Sequence, residues 1–255
     1  MGKKSMKHHT YIPATKLITG FLLATLLSAC GGGTLYVGSP PPSNTKTINV
    51  DFNTEAEGWS AGFADYPAGQ ETFYELASSH ATLPALLGQD RKGIKISGNN
   101  HSDDLFMFIT KKFTGFEPNT RYEIDLEVTI GTNVHSGCSG VGGSPGDSVY
   151  VKAGAAKVEP KAVNDGTGFY LLNIDKSNQA AGGSDVMAIG NIGNGLDCDN
   201  TDETYRKKTL KSEAGKFTTY SNANGAIWII FGTDSGFEGP TTIYFVDAAA
   251  KVTKR

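Results

Sequence analysis

The stretch "YEIDLEVTI", Tyr122 to Ile130, decides the fold class. Tyr122, Ile124, Leu126, Val128 and Ile130 alternate with Glu123, Asp125, Glu127 and Thr129. Period two is the signature of a strand with one buried and one wet face. Outward from it, "LFMFI" at 105–109, "AIWIIFG" at 226–232 and "TIYFV" at 242–246 are short aromatic and β-branched runs, read as more deeply buried strands. "INVDFN", "GIKIS", "SVYVKAG", "GFYLLNI" and "KFTTYS" add further strands. Only "HATLPALLG" reads as briefly helical, and Pro84 limits it. About ten strands and almost no helix predict an all-β fold, a single β-sandwich or barrel.

The N-terminal region sets the expected compartment. Lys3, Lys4, Lys7 and Lys16 give a basic start, and "LITGFLLATLLSAC" is an apolar run too short to span a bilayer as a permanent helix. Its ending, Leu27-Ser28-Ala29-Cys30, resembles the lipobox of bacterial lipoproteins. The resemblance implies a signal peptide over 1–29, cleavage before Cys30 and a lipid on Cys30 that holds the chain at a membrane, expected to be the outer membrane or cell surface. "GGGTLYVGSPPPSNTKT" cannot bury a core, so 30–47 is expected to be a flexible tether and 48–255 the folded domain. Removing four lysines with the leader leaves 19 basic against 26 acidic residues, a formal charge of −7. That excludes a nucleic-acid partner, because phosphate binding needs clustered Lys and Arg. The remaining pair, Cys138 and Cys198, is expected to form a disulfide between two loops of an exported protein.

Three segments are similar to parts of the galactose-binding-like jelly rolls, a group that includes many carbohydrate-binding modules. These are "DFNTEAEGW" at 51–59, "TGFEPNTRYEIDLEV" at 114–128 and "TTIYFVDAAAKV" at 241–252. They cover about a fifth of the domain. The resemblance implies a β-sandwich of jelly-roll type and a structural Ca2+ between the first and last strands, with Asp51, Glu55 and Asp247 as ligands. Asn53 and Ala248 stand where the group has acids.

Several motifs invite chemistry. "GGSPG" at 142–146 matches the GxSxG elbow, but its flanks lack the strand-to-helix turn that would expose Ser144 as a nucleophile, so it reads as a turn. "DCDNTDE" at 197–203 lacks the spacing of a calcium loop and reads as a solvated acidic loop. "NNHSDD" at 99–104 reads as an inter-strand loop. Its amides and acids either stabilise a turn or bind sugar hydroxyls, to which they donate and accept in fixed directions. Asp103 and Asp104 are adjacent, so extended backbone would point them to opposite faces and they do not form a hydrolytic dyad with each other, which leaves either acid open to pairing with a distant one. "GTDSGFEGP" at 232–240 reads as a hairpin loop, and "WSAGFADYPAG" at 59–69 carries aromatics, of which Trp59 is expected in the core. The candidate ligand-binding residues are Asn100, His101, Asp103, Asp104, Phe63, Tyr66, Asp234, Phe237 and Glu238. The expected function is non-catalytic glycan binding. The alternatives are an envelope protein that binds another protein, and a glycan hydrolase.

Overall fold

The computed structural model describes residues 44–255. The expected leader, Cys30 with its expected lipid, and most of the expected tether lie outside the described residues. The fold is all β. Its fifteen strands are β1 (Thr45–Asp51), β2 (Ser60–Ala64), β3 (Tyr66–Pro67), β4 (Ala77–Thr82), β5 (Lys92–Asn99), β6 (Phe106–Phe113), β7 (Arg121–Thr132), β8 (Val149–Ala156), β9 (Ala162–Asn164), β10 (Phe169–Leu172), β11 (Val186–Asn191), β12 (Arg206–Lys211), β13 (Thr218–Tyr220), β14 (Ile227–Ser235) and β15 (Pro240–Lys254). The stretch read as helical is instead the edge strand β4 followed by a single 3-10 turn, Ala85–Leu87, after Pro84. Among the described residues, no helix is long and apolar enough to cross a membrane.

Two antiparallel sheets form a β-sandwich of jelly-roll type. One runs β12-β7-β15-β5-β4, with β1 on the distal half of β15 and β13 on β7; the other runs β11-β8-β14-β6-β2. β1 begins at Thr45, inside the expected tether, because Thr45 to Thr47 pair with Thr253 to Lys251 of β15 through backbone rather than through apolar side chains. The alternation of β7 holds: Tyr122, Ile124, Leu126, Val128 and Ile130 are buried, and Glu123, Asp125, Glu127 and Thr129 line the outer face. Opposite them, β14 contributes Ile227, Ile229 and Phe231, and β6 contributes Met107 and Ile109. Trp59 packs in this core against Phe52, Phe113 and Phe231, as its sequence context implies.

β14 and β6 are buried on both faces for a reason the runs alone do not show. A third sheet, β3-β10-β9, and the segment 173–185 cover the outside of the five-stranded sheet. Phe106, Phe108 and Ile230 pack there with Ile174 and Val186 in a second cluster. Within the covered sheet the Phe108 ring lies over its cross-strand partner Gly62 of β2, where a Cβ would sit 2.3 Å from the ring.

The segment 232–240 is not a hairpin loop. β14 and β15 belong to different sheets, so it is a crossover between the layers. The 99–105 segment makes the same crossing from β5 to β6. Cys138 and Cys198 form the expected disulfide, closing a 60-residue separation beside a parallel bridge between Ser136 and Asp197. Such a closure restricts the unfolded chain and stabilises by about 3–4 kcal/mol. Urea unfolding with and without reductant should differ by that amount, and so should the Cys138→Ser, Cys198→Ser double variant.

Candidate functional site

The two crossovers are stapled by one side chain. Asn100 donates through Nδ2 to Ser235 O and Phe237 O, both at 2.9 Å, and its Oδ1 accepts from Ser102 N and Leu105 N. Its own N–H reaches Gly239 O at 3.1 Å. Ser102 Oγ then donates to Asp65 O at 3.0 Å. The three segments "NNHSDD", "GFADYP" and "TDSGFEG" therefore meet at one end of the sandwich. Gly142 joins them: a Cβ there would sit 3.1 Å from Glu238 Cγ and 3.3 Å from Asp103 Oδ1, and its φ of +71° favours glycine.

Only part of the expected set faces solvent. His101, Asp103 and Glu238 are exposed, and Asp104 and Phe237 are half-buried. Asn100 and Asp234 are inside the fold. Phe63 packs on the main core, and Tyr66 is buried between Tyr74 and Tyr170. Burial and the Glu71 carboxylate push the Tyr66 hydroxyl up to about 12. Asn100, Asp234, Phe63 and Tyr66 therefore hold the site together and do not present groups to a ligand. Asn100 and Asp234 are spent on joining the two layers at the crossovers, whereas Phe63 on β2 packs on the core and Tyr66 on β3 packs among tyrosines. Asp103 adopts φ +61°, which turns its carboxylate to solvent while Asp104 turns inward, so the two diverge although the backbone is not extended.

Phe73, in "GQETFYEL", was not legible as a site residue. It is 58% exposed and its ring stacks on His101 at 4.1 Å with an interplanar angle of 22°. Tyr74 contacts both rings edge-on. The exposed Phe73 ring on His101, with the exposed Asp103 and Glu238 on the two crossovers, puts an apolar face and polar groups at the same end of the fold.

Beneath these loops lies a buried ion cluster. Lys152 of β8 and Asp234 of β14 have no solvent-exposed side-chain surface. Lys152 Nζ reaches Lys176 O at 2.8 Å, Ala181 O at 2.7 Å and Asp234 Oδ2 at 3.1 Å. Lys176 Nζ reaches Asp65 Oδ2 at 2.8 Å, Asp234 Oδ2 at 2.9 Å and Ser177 O at 3.1 Å. Each ammonium has three donors and three acceptors, which is what permits a buried lysine. Burial lowers the Lys152 ammonium's proton affinity. Burial also opposes the charge on Lys176, but Asp234 and Asp65 outweigh it and raise its proton affinity. Replacing Lys176 by Met leaves Asp65 buried without its cation and Asp234 with Lys152 alone. That should cost about 3–5 kcal/mol in urea unfolding. Lys211→Met, which breaks an exposed pair with Glu127, should cost less than about 1 kcal/mol.

The expected calcium ligands sit elsewhere, on the outer face of the seven-stranded sheet. Asp51 and Asp247 are cross-strand partners on β1 and β15. The Arg91 guanidinium lies between them, 2.7 Å from Asp51 and 3.3 Å from Asp247. Glu55 accepts from the Asp51 N–H at 2.8 Å. Among the described residues, no group of three or more His, Cys, Asp or Glu side chains could hold a metal ion. The three residues do not fit calcium, because an arginine already supplies the cation. EDTA should leave the thermal midpoint unchanged; a drop would restore a metal to this place. The groove here, about 350 Å³, is lined by Asn49, Asp51, Glu55, Glu127, Thr129 and Asp247 among others, with no aromatic ring.

No protein-family model and no curated protein matches the chain. Solved structures with a similar chain trace include TmCBM27, a carbohydrate-binding module described for specific mannan recognition (11% identity, 83% of this chain and 98% of that one, TM-score 0.35). TmCBM61, solved with β-1,4-galactotriose, is another (8% identity, 76% and 88%, TM-score 0.33). A third is the enzymatically active domain of bacteriophage CBA120 tailspike protein 4 (10% identity, TM-score 0.31), matched over 75% of this chain and only 19% of that one.

Proposed function

We propose that the chain is a non-catalytic glycan-binding protein of the bacterial cell envelope, anchored by lipid on Cys30, and that the ligand lies on the Phe73–His101 platform. The observation that carries this reading is the exposed Phe73 ring stacked on His101, at the end of the fold that also exposes Asp103 and Glu238. Axial C–H groups of a pyranose are apolar and pack on such a ring, while its hydroxyls meet carboxylates and the imidazole. The alternative polar groove on the outer sheet has acids but no ring to stack on.

The test uses the full chain in mild detergent against a panel of soluble polysaccharides, in calcium and in EDTA. Selective binding without product release is expected, insensitive to EDTA. Phe73→Ala should weaken it by tenfold or more, ~1.4 kcal/mol. Binding that survives this change moves the site elsewhere. Incorporation of labelled palmitate in a bacterial host should be lost in Cys30→Ser; persistence would remove the anchor.

A second reading, a protein partner, rests on Val163, Phe169 and Leu171. These exposed side chains share one face of the β3-β10-β9 sheet, where Leu171 pairs with Val163. A blank glycan panel, with cross-links to an envelope protein that disappear in Leu171→Asp, would favour it.

A further inference from the structure

Asp104 and Asp234 come from different crossovers and meet over Lys176. Both have an oxygen, Oδ1 in each case, that is shielded from solvent and finds no hydrogen-bond donor among the described residues. Both carboxylates close on the Lys176 ammonium, Asp104 at 3.9 Å and Asp234 at 2.9 Å, and two acceptors without a donor at one place lack one hydrogen. The groups around Asp104 are Asp65 from the β2–β3 link, Lys176 from the 173–185 segment, at 3.9 Å, and Asp234 from β14, with Lys152 of β8 behind it. Three carboxylates against two ammoniums leave one uncompensated negative charge. One bound proton makes the cluster neutral.

We propose that Asp104 and Asp234 share one proton, and that this proton holds the 173–185 segment down on the loop end of the sandwich. The segment is docked through the same atoms. Gln179 N–H donates to Asp234 Oδ2 at 3.0 Å, and Lys176 and Ala181 are held by Lys152. Gln179 then donates through Nε2 to Asp103 O at 2.9 Å, which links the segment to the candidate ligand surface. Loss of the proton to water leaves a second negative charge beside Asp234, which has no solvent-exposed side-chain surface, and the cheapest relief is to lift the segment and admit water. Burial, with Asp234 and Asp65 nearby, pushes Asp104 up to about 7 against Lys176's opposing pull. The sign follows from linkage. Asp104 holds its proton in the folded chain and releases it near 4 when unfolded, so its contribution is full below about 4, declines as pH rises to about 7, and is absent above.

Hydrogen exchange of the full chain in mild detergent tests this, with rates referenced to the unfolded chain at each pH. Protection of residues 177–185 should fall by tenfold or more between about pH 5.5 and pH 8.5, while β7 and β15 stay protected. Asp104→Asn supplies the missing hydrogen permanently, so its protection should not change over that range. Equal pH dependence in the two proteins, or a flat wild-type profile, overturns the proposal. Carboxyl 13C titration of the wild type gives a second reading that needs no variant: a midpoint near 7 for Asp104 is expected, and one near 4 overturns it. The consequence for ligand affinity, weaker above about pH 7, rests on the glycan-binding reading. A blank glycan panel would end that reading and leave the exchange and titration results to decide this one.

Discussion

A lysine ammonium without access to water must find three acceptors nearby, and Lys152 sits in the middle of a β-strand with none on its own sheet except Asp234. The 173–185 segment supplies the other two as backbone carbonyls. One demand of this kind organises a whole end of the molecule. The segment must return over the five-stranded sheet, so the outer face of that sheet is covered. Covering it allows Phe106, Phe108 and Ile230 to be apolar on a side that would otherwise be wet. The second lysine, Lys176, rides in on the segment and takes up Asp65, which ties in the β2–β3 link. Breaking any one member strands the others, since a buried charge left unpaired costs far more than the intact pair gains.

The same end carries the surface residues. Asn100 and the ion cluster fix the backbones of loops that cross between layers, and what remains free to face outward is short: Phe73, His101, Asp103 and Glu238. Rigid support beneath a small exposed set is the arrangement that reduces the ordering cost of binding. The outer face of the seven-stranded sheet is built differently. Its charges pair with one another across strands, as Arg91 does with Asp51 and Asp247 and Lys211 with Glu127.

The architecture was legible because strand alternation is a local property. "YEIDLEVTI" and "AIWIIFG" fall in β7 and β14 as read. The strands that went unread, such as "ASSHAT" in β4 and "RKKTLK" in β12, are edge strands whose polar side chains leave no period to see. The disulfide was legible from residue counting alone. The site was legible only as three segments. Which of their side chains point inward depends on the crossing between sheets, and "GTDSGFEGP" reads identically as a hairpin or a crossover. One signal was present and unused: a lone Lys152 inside the apolar run "SVYVKAG" marks a charge that needs buried partners.

Facing carboxylates raise the question of hydrolysis, and the geometry of this pair answers it. A glycosidase needs its two carboxyl groups about 5–10 Å apart across a cleft, so that a glycosidic bond, with or without a water, fits between them. Asp104 and Asp234 close on the same Lys176 ammonium, and Asp234 has no exposed surface from which to reach a substrate. Asp103, the exposed neighbour, is turned away from both by its left-handed backbone. The raised proton affinity of Asp104 resembles that of a catalytic acid, but its cause here is structural: burial first, then the neighbouring Asp234 and Asp65 carboxylates. Perturbed titration in a protein end is a pointer to function only after such internal balance has been subtracted. Once it is, the exposed groups at this end of the fold are Phe73, His101, Asp103 and Glu238, and none of them belongs to the buried cluster.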